Sequence, residues 1–335
     1  MRLLVASFLI ALGVTWIATP WVVRLALRRG VVAVPRSRDV HTEPKPRWGG
    51  IAIYLGVMVA VLLTVTARQL RPNVGHAWTP AVIGMLLAAT WVAIVGLIDD
   101  VRDLRALWQA LAILVAGGIL IAFGVRIDGF ANPLSDQLGR TPTATSWVAL
   151  SYPASVAVTL FWVLLVTKTV DAVDGLDGLA AGVCAISAAT LALIAAASAQ
   201  AEGPVVALVA AAVTGSCIGF LRFNYSPARI FMSTVGAQFL GFMLAALSIM
   251  GTSKIAAAVS VAIPLLVLGV PIFDYAVVLL RRMQSGAPLT MADQRHFHHR
   301  LLARGLSKQQ AVWVIYGCTA VLCIAAIVLQ IVGAK

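Results

Sequence analysis

The sequence predicts an all-α, polytopic integral membrane protein of about ten transmembrane helices. Three observations carry this. Hydrophobic residues make up 61% of the 335 and charged residues only 11%, against about 25% charged in an ordinary soluble domain. Mean hydropathy is +0.95. Apolar runs of about 20 residues, long enough to cross the hydrocarbon core as a helix, recur along the whole chain. A soluble enzyme of this length needs far more polar surface. Composition therefore excludes a soluble enzyme, a disordered chain and a disulfide scaffold.

Taken in order, the runs are 3–24, 48–66, 80–98, 105–124, 147–168, 178–198, 204–221, 230–250, 255–279 and 310–333. The separation of the sixth from the seventh and the long 147–168 run are the least defined, so eleven is the alternative count. The first run reads as a retained span. Its only early basic residue is Arg2, and no small-residue cleavage site precedes the basic stretch after it. Cys184, Cys217, Cys318 and Cys323 all lie in apolar stretches and form no CxxC pair. They read as small buried hydrophobes. With no repeat or low-complexity tract visible, a single membrane domain over 1–335 is the simplest organisation.

Lys and Arg sort by loop. Odd-numbered loops hold 18 of the 25, and even-numbered loops hold five: Arg68, Arg71, Arg126, Arg140 and Lys254. The positive-inside rule then makes odd loops cytoplasmic and turns both termini outward. Acids follow the same side, which that rule does not require. Asp39, Glu43, Asp99, Asp100, Asp103, Asp171, Asp174, Asp177 and Asp293 are in odd loops, with His41, His296, His298 and His299. Carboxylates, histidines and arginines on one face suit a metal and a phosphorylated ligand. The net charge of +12 is assigned to topology and to anionic lipid or phosphate substrates, not to nucleic acid.

Each odd loop has a chemical reading and a bland one. In the first, two prolines lead to Arg47-Trp48-Gly49-Gly50. Backbone amides at that helix start, beside Arg47, form an anion site; the bland reading is a charged juxtamembrane linker. In the second, Asp99-Asp100-Val101-Arg102-Asp103 places three carboxylates on one face if the helix continues. Such oxygens suit Mg²⁺; the alternative is an acidic cap balanced by Arg102 and Arg105. In the third, Asp171, Asp174 and Asp177 recur every third residue, with Gly175 and Gly178 following two of them. A helix end is expected there, then a turn, then a new helix from Asp177. The carboxylates can serve a base, a ribose or a metal, or merely cap a turn. The fourth, Arg222 to Arg229, reads as a turn with arginines for topology. The fifth carries Asp293-Gln294-Arg295-His296-Phe297-His298-His299-Arg300. It suits phosphate binding; a basic helix on anionic lipid and a zinc site without a thiolate are the alternatives.

Together these motifs resemble the polyprenyl-phosphate N-acetylhexosamine-1-phosphate transferase family, glycosyltransferase family 4. The resemblance runs from about 31 to 311. It is closer to the bacterial undecaprenyl-phosphate N-acetylglucosamine-1-phosphate transferases of teichoic acid and surface-polysaccharide synthesis. The peptidoglycan transferase using UDP-N-acetylmuramoyl-pentapeptide is more distant. It rests on the proline–glycine entry at 41–50, the pair Asp99-Asp100, Asp174-Gly175-Leu176-Asp177-Gly178-Leu179-Ala180, the Asn-x-x-Pro-Ala of 224–228, the Pro-x-x-Asp of 271–274 and the histidines of 295–301.

The resemblance implies attack of undecaprenyl phosphate on the β-phosphorus of a UDP-N-acetylhexosamine, most simply UDP-N-acetylglucosamine, with release of UMP. It implies Mg²⁺, with Mn²⁺ as a substitute, and the bacterial cytoplasmic membrane. It is also compatible with a homodimer. Carried over by motif, Asp99, Asp100 and Asp103 are catalytic. Arg47, Asp174, Asp177, Asn224, His296, His298, His299 and Arg300 bind substrate. Asp99, Asp100, Asp171 and Thr234 hold the metal.

The chain departs from the pattern at polar positions. The family's Phe-Met-Gly-Asp-x-Gly reads Phe231-Met232-Ser233-Thr234-Val235-Gly236, so Thr234 replaces a metal-binding aspartate. Lys168 stands for the usual Asn, and Asp171 for a frequent Asn. Gln109 and Ile113 align with a basic residue and a Gln. Two readings follow: a transferase whose metal site is rebuilt, with Asp171 restoring the charge lost at Thr234, or a non-catalytic relative that binds prenyl phosphate or a partner enzyme. A transporter using intramembrane carboxylates fits less well, because the acids gather at one face and no inverted repeat is visible.

Overall fold

The computed structural model of the chain describes residues 1–335 apart from 34–43, 72–75, 132–146, 199–201, 253–256, 286–295 and 334–335. Asp39, His41, Glu43, Asp293, Gln294 and Arg295 lie outside the described residues. The helices are α1 (Arg2–Arg28), α2 (Gly49–Gln69), α3 (Pro80–Arg102), α4 (Ala106–Ala122), α5 (Tyr152–Val173), α6 (Leu179–Ala197), α7 (Gly203–Asn224), α8 (Ser233–Thr252), α9 (Ala257–Val267), α10 (Gly269–Ser285), α11 (Phe297–Ala303) and α12 (Lys308–Gly333). Two short antiparallel ribbons complete the fold: β1 (Val32–Ala33) with β2 (Lys45–Pro46), and β3 (Gly129–Ala131) with β4 (Trp147–Ala149). Eight helices are long and apolar enough to cross a membrane, and α4 is a shorter apolar helix. The protein is an all-α, multi-pass membrane protein.

Nine of the ten expected spans correspond to single helices. The sixth and seventh are separate, as α6 and α7. Three boundaries move. The ninth is not one helix: α9 ends at Val267 and α10 starts at Gly269. Pro271, which lacks an N–H, follows the break and cannot continue the ladder. The fifth starts at Tyr152, with Pro153 in its first turn, because 147–149 pair as β4. The eighth starts at Ser233 rather than at 230. Cys184, Cys217 and Cys323 are buried as expected, whereas Cys318 is exposed on α12.

Several hydroxyls inside the spans are satisfied within their own helix. Thr19, Thr64, Thr90, Thr159, Thr214 and Thr319 each donate to the carbonyl one turn back. In hydrocarbon no water replaces those partners, so the spans carry these residues without a polar seam.

The core lies around α8. Its apolar window is 94% buried, against 22% in α1 and 28% in α12, so α1 and α12 form the periphery. Helices α3, α5 and α2 pack most extensively on α8. Helices α2 and α8 meet backbone to backbone. A Cβ on Gly50 would stand 2.1 Å from the Gly236 backbone nitrogen, and one on Gly96 of α3 would stand 2.6 Å from Cα of Val235. Small residues let membrane helices meet backbone to backbone. The start of α8 is thereby pinned between α2 and the end of α3.

A Gly50→Ala substitution should therefore lower the thermal unfolding midpoint in detergent, since overpacking costs about 1–3 kcal/mol. Gly118→Ala on α4 is the control, because its added Cβ meets nothing within 4 Å. Equal midpoints for the two variants would remove this contact from the account.

Candidate active site

The odd-numbered loops meet at one end of the bundle. The Lys45 ammonium lies 3.7 Å from Asp177, and the Ala228 amide donates to the same carboxylate at 2.9 Å. Ser233 of the α8 start donates to Asp100. His298 lies against Gly175, and Gln309 donates to the Ser226 carbonyl. First, second, third, fourth and fifth loops thus share one surface.

Asp99 and Asp100 are both buried but face different partners. Asp99 Oδ1 accepts from the Leu104 amide and from Gln109 Nε2, both at 2.8 Å. It closes the turn between α3 and α4. Asp100 Oδ1 accepts from the Ser233 hydroxyl at 2.5 Å and the Thr234 amide at 3.1 Å. A carboxylate there caps the N-terminus of α8 and answers its dipole. Arg47 donates to the Asp100 carbonyl at 3.4 Å. The second oxygen, Asp100 Oδ2, is buried with no hydrogen-bond partner among the described residues.

The expected three-carboxylate face does not form. The helix stops at Arg102, and Asp103 takes a left-handed conformation with φ of 47° as its C-cap. Asp103 is exposed while Asp99 and Asp100 are buried. The expected anion site at Gly49-Gly50 is also absent. Those two amides donate to the Phe231 and Met232 carbonyls at 3.0 Å, so the helix start docks on the α8 approach.

In the third loop, α5 ends at Val173 and α6 begins at Leu179, two residues after the expected start at Asp177. Gly178, at φ of 80°, makes the turn. Asp177 instead holds Ala228 and Lys45. Asn224 is buried, its amide accepting from the Gly178 amide and donating to the Ile230 carbonyl at 2.9 Å. It clamps the fourth loop to the third. Asp171 does not stand open: its Oδ2 lies 2.7 Å from the Lys168 ammonium. Asp174, half-buried between them, has its carboxyl pushed up to about 7. Burial is the main cause. The charges of Asp171, Asp100 and Asp177 add to it, and the Ser233 amide opposes it.

The histidines are organised by Asp274 of α10. Its Oδ2 lies 3.0 Å from His296 Nδ1, and its Oδ1 accepts from the Phe297 amide at 2.7 Å. His296 and His298 stack, and His298 contacts His299 at 4.3 Å between ring centroids. Burial lowers His298 to about 4, with the His299 and His296 charges adding to the effect, so it is neutral at pH 7. Its buried Nε2 has no partner among the described residues. A Cβ on Gly175 would stand 2.5 Å from that nitrogen. Gly175 is thus needed for close approach, and Gly178 for its positive φ. Arg300 is exposed at the rim.

Sequence reasoning singled out Asp274 as part of a motif but not as a site residue, although an acid within a span is a functional signal in itself. It also missed Ser233 and Gln238, whose partners lie far away in sequence.

A divalent cation fits one part of this site. Asp100 Oδ2 is an unpaired buried oxygen, and Asp174 is close enough to feel its charge. One or two carboxylates plus substrate phosphates is the usual Mg²⁺ set. Asp99 Oδ1 and Asp171 Oδ2 already hold protein donors. Among the described residues no three His, Cys, Asp or Glu side chains converge on one point, so the protein supplies only part of a coordination shell.

Comparison with known proteins identifies the family. Residues 82–252 match the family model for glycosyl transferase family 4. The chain is 34% identical over 328 residues to a Bacillus subtilis protein named "Probable undecaprenyl-phosphate N-acetylglucosaminyl 1-phosphate transferase", covering 98% of this chain and 85% of that one. It is 32% identical over 319 residues to the decaprenyl-phosphate N-acetylglucosaminephosphotransferase of Mycolicibacterium smegmatis, covering 90% and 76%. A phospho-N-acetylmuramoyl-pentapeptide-transferase of Mycolicibacterium gilvum is 31% identical over 294 residues, covering 77% and 79%. The matched segment runs from α3 to α8 and includes Asp99, Asp100, Asp174 and Asn224, and the chain belongs to glycosyl transferase family 4.

Proposed function

We propose that the protein transfers N-acetylglucosamine-1-phosphate from UDP-N-acetylglucosamine to undecaprenyl phosphate at the cytoplasmic face of a bacterial inner membrane. The observation that carries it is the unpartnered Asp100 Oδ2 beside Asp174, with His298 packed against the adjoining Gly175. The named activities of the similar proteins support the same reading. The chain acts as a single membrane domain, with anionic lipid around it and a homodimer compatible with the reading.

In the reaction a phosphate oxygen of the prenyl phosphate bonds to the β-phosphorus of the donor. The bond from that phosphorus to the bridging oxygen breaks, and UMP leaves. Such transfers depend on positioning and on neutralising charge. Asp100 and Asp174 would hold Mg²⁺ or Mn²⁺, which when bound offsets phosphate charge. Arg47 and Arg300 flank the site as fixed cations. His298, neutral and unpaired at Nε2, can donate or accept a hydrogen bond at a phosphate or sugar oxygen, and Asp274 orients His296 beside it. Asp177 and Asn224 hold the walls of the site rather than the substrate. Asp99 shapes the turn that presents Asp100.

UMP release from UDP-N-acetylglucosamine should require both the divalent cation and a prenyl phosphate. No turnover at high protein concentration would favour the second reading, a binding protein without catalysis. One observation favours that alternative: Thr234 meets Asp100 through its backbone amide, and its side chain brings no charge. Thr234→Asp should then raise turnover if the missing carboxylate is the cause.

The cation site should titrate. A carboxyl raised to about 7 is mostly protonated near pH 6 and mostly ionised near pH 8, and the proton competes with the metal. Mn²⁺ affinity, read by electron paramagnetic resonance, should weaken about tenfold from about pH 8 to about pH 6. In Asp174→Asn most of that pH dependence should be lost. A flat profile in the unaltered protein would exclude Asp174 from the cation site.

A further inference from the structure

Next to the Asp100–Asp174 edge lies a second polar cluster that the proposed reaction does not use. The Lys168 ammonium on α5 donates to Gln109 Oε1 of α4 and to Asp171 Oδ2, each at 2.7 Å. Gln238 of α8, fully buried, donates to the same two oxygens at 3.2 and 3.5 Å. Gln109 Nε2 donates to Asp99 Oδ1 and to the Leu104 carbonyl at 3.3 Å. That fixes the orientation of the Gln109 amide, because its nitrogen is committed to two acceptors and its oxygen must face Lys168 and Gln238. Four helices therefore hold one ammonium in one place.

An ammonium has three N–H donors, and two are committed. The third has no partner among the described residues. The side chain is 19% exposed, so it is accessible yet held. Its pair with Asp171 borders the open site, since the Asp171 charge is felt at Asp174. A plain structural ion pair on one helix needs only Lys168 and Asp171. It does not need an oriented glutamine on each of two further helices.

Resting on the transferase reading, we propose that Lys168 is a phosphate-binding group of the site. Gln109 and Asp171 hold it as positioning residues, and its remaining N–H serves a phosphate oxygen of the lipid monophosphate or of the nucleotide diphosphate. The site then keeps phosphate affinity without a divalent cation.

The test is binding in chelator, using the full chain in lipid nanodiscs with EDTA. Farnesyl phosphate and UDP-N-acetylglucosamine are the two probes, so the arms separate the lipid source from the nucleotide source. The unaltered protein should bind at least one. Lys168→Met should weaken that binding at least about tenfold, the scale of a lost charge-assisted hydrogen bond. Lys168→Arg should retain it within about threefold. The double variant Lys168→Met/Asp171→Asn leaves no unpaired carboxylate. It should melt near the unaltered protein and still fail to bind. The exchange Gln109→Lys/Lys168→Asn returns an ammonium to the same spot from α4, because the two side chains already touch, and should recover binding.

No binding by the unaltered protein in EDTA, or full binding by the double variant, would overturn the proposal. UMP release with Mg²⁺ would survive that outcome. Conversely, Lys168-dependent binding without UMP release would leave this inference standing and remove the transferase reading.

Discussion

The backbone contact between α2 and α8 fixes the rest of the site. With no side chain at Gly50 or Gly236, the two helices touch main chain to main chain. The first turn of α2 then reaches the residues before α8, and its amides bond to the Phe231 and Met232 carbonyls. Gly96 lets the last turns of α3 meet the same stretch. The α8 N-terminus is thereby presented to Asp100, whose carboxylate caps it. A wider crossing would leave a helix dipole and a carboxylate unmatched in a low-dielectric region, where each is costly.

That cap explains how two adjacent aspartates come to do different work. On a helix, neighbours point about 100° apart. Asp99 therefore turns to α4 and its loop, and Asp100 turns to α8. The cap uses one oxygen of Asp100 and leaves the other buried and open. Asp174 arrives from α5 at the same helix start. Burial, with the charges of Asp171 and Asp100 adding to it, lets Asp174 hold its proton to about 7. A cation there would offset both the desolvation and the repulsion.

Much of the fold was legible in composition, because lipid demands continuous apolar helices and their length is set by the bilayer. The site was legible by type and less so by geometry. Periodicity assumed that helices continue through Asp103 and restart at Asp177, yet Asp103 ends α3 and Asp177 turns to another loop. Gly49-Gly50 carries a correct signal of close approach, but to a carbonyl pair rather than to an anion. Asn224 looks like a ligand by motif and acts as a clamp. Contacts such as Ser233 to Asp100 or Gln238 to Gln109 join residues more than a hundred positions apart, and no local pattern encodes them.

The departures from the family pattern gain meaning from those long-range contacts. In the sequence, Gln109, Lys168 and Asp171 are three unrelated substitutions at polar positions. In the structure they touch one another. Charge in a partly buried site must be balanced locally, because solvent screens it poorly. Lys168 and Asp171 add one charge of each sign, so the pair enters at no net cost in charge. Thr234 removes a carboxylate beside Asp100, and Gln109 removes a cation beside Asp99. Together the four positions keep the net charge of the aligned pattern and shift its ammonium from α4 to α5. Such a set keeps the charge of this corner balanced, where any one of the four changes alone would unbalance it.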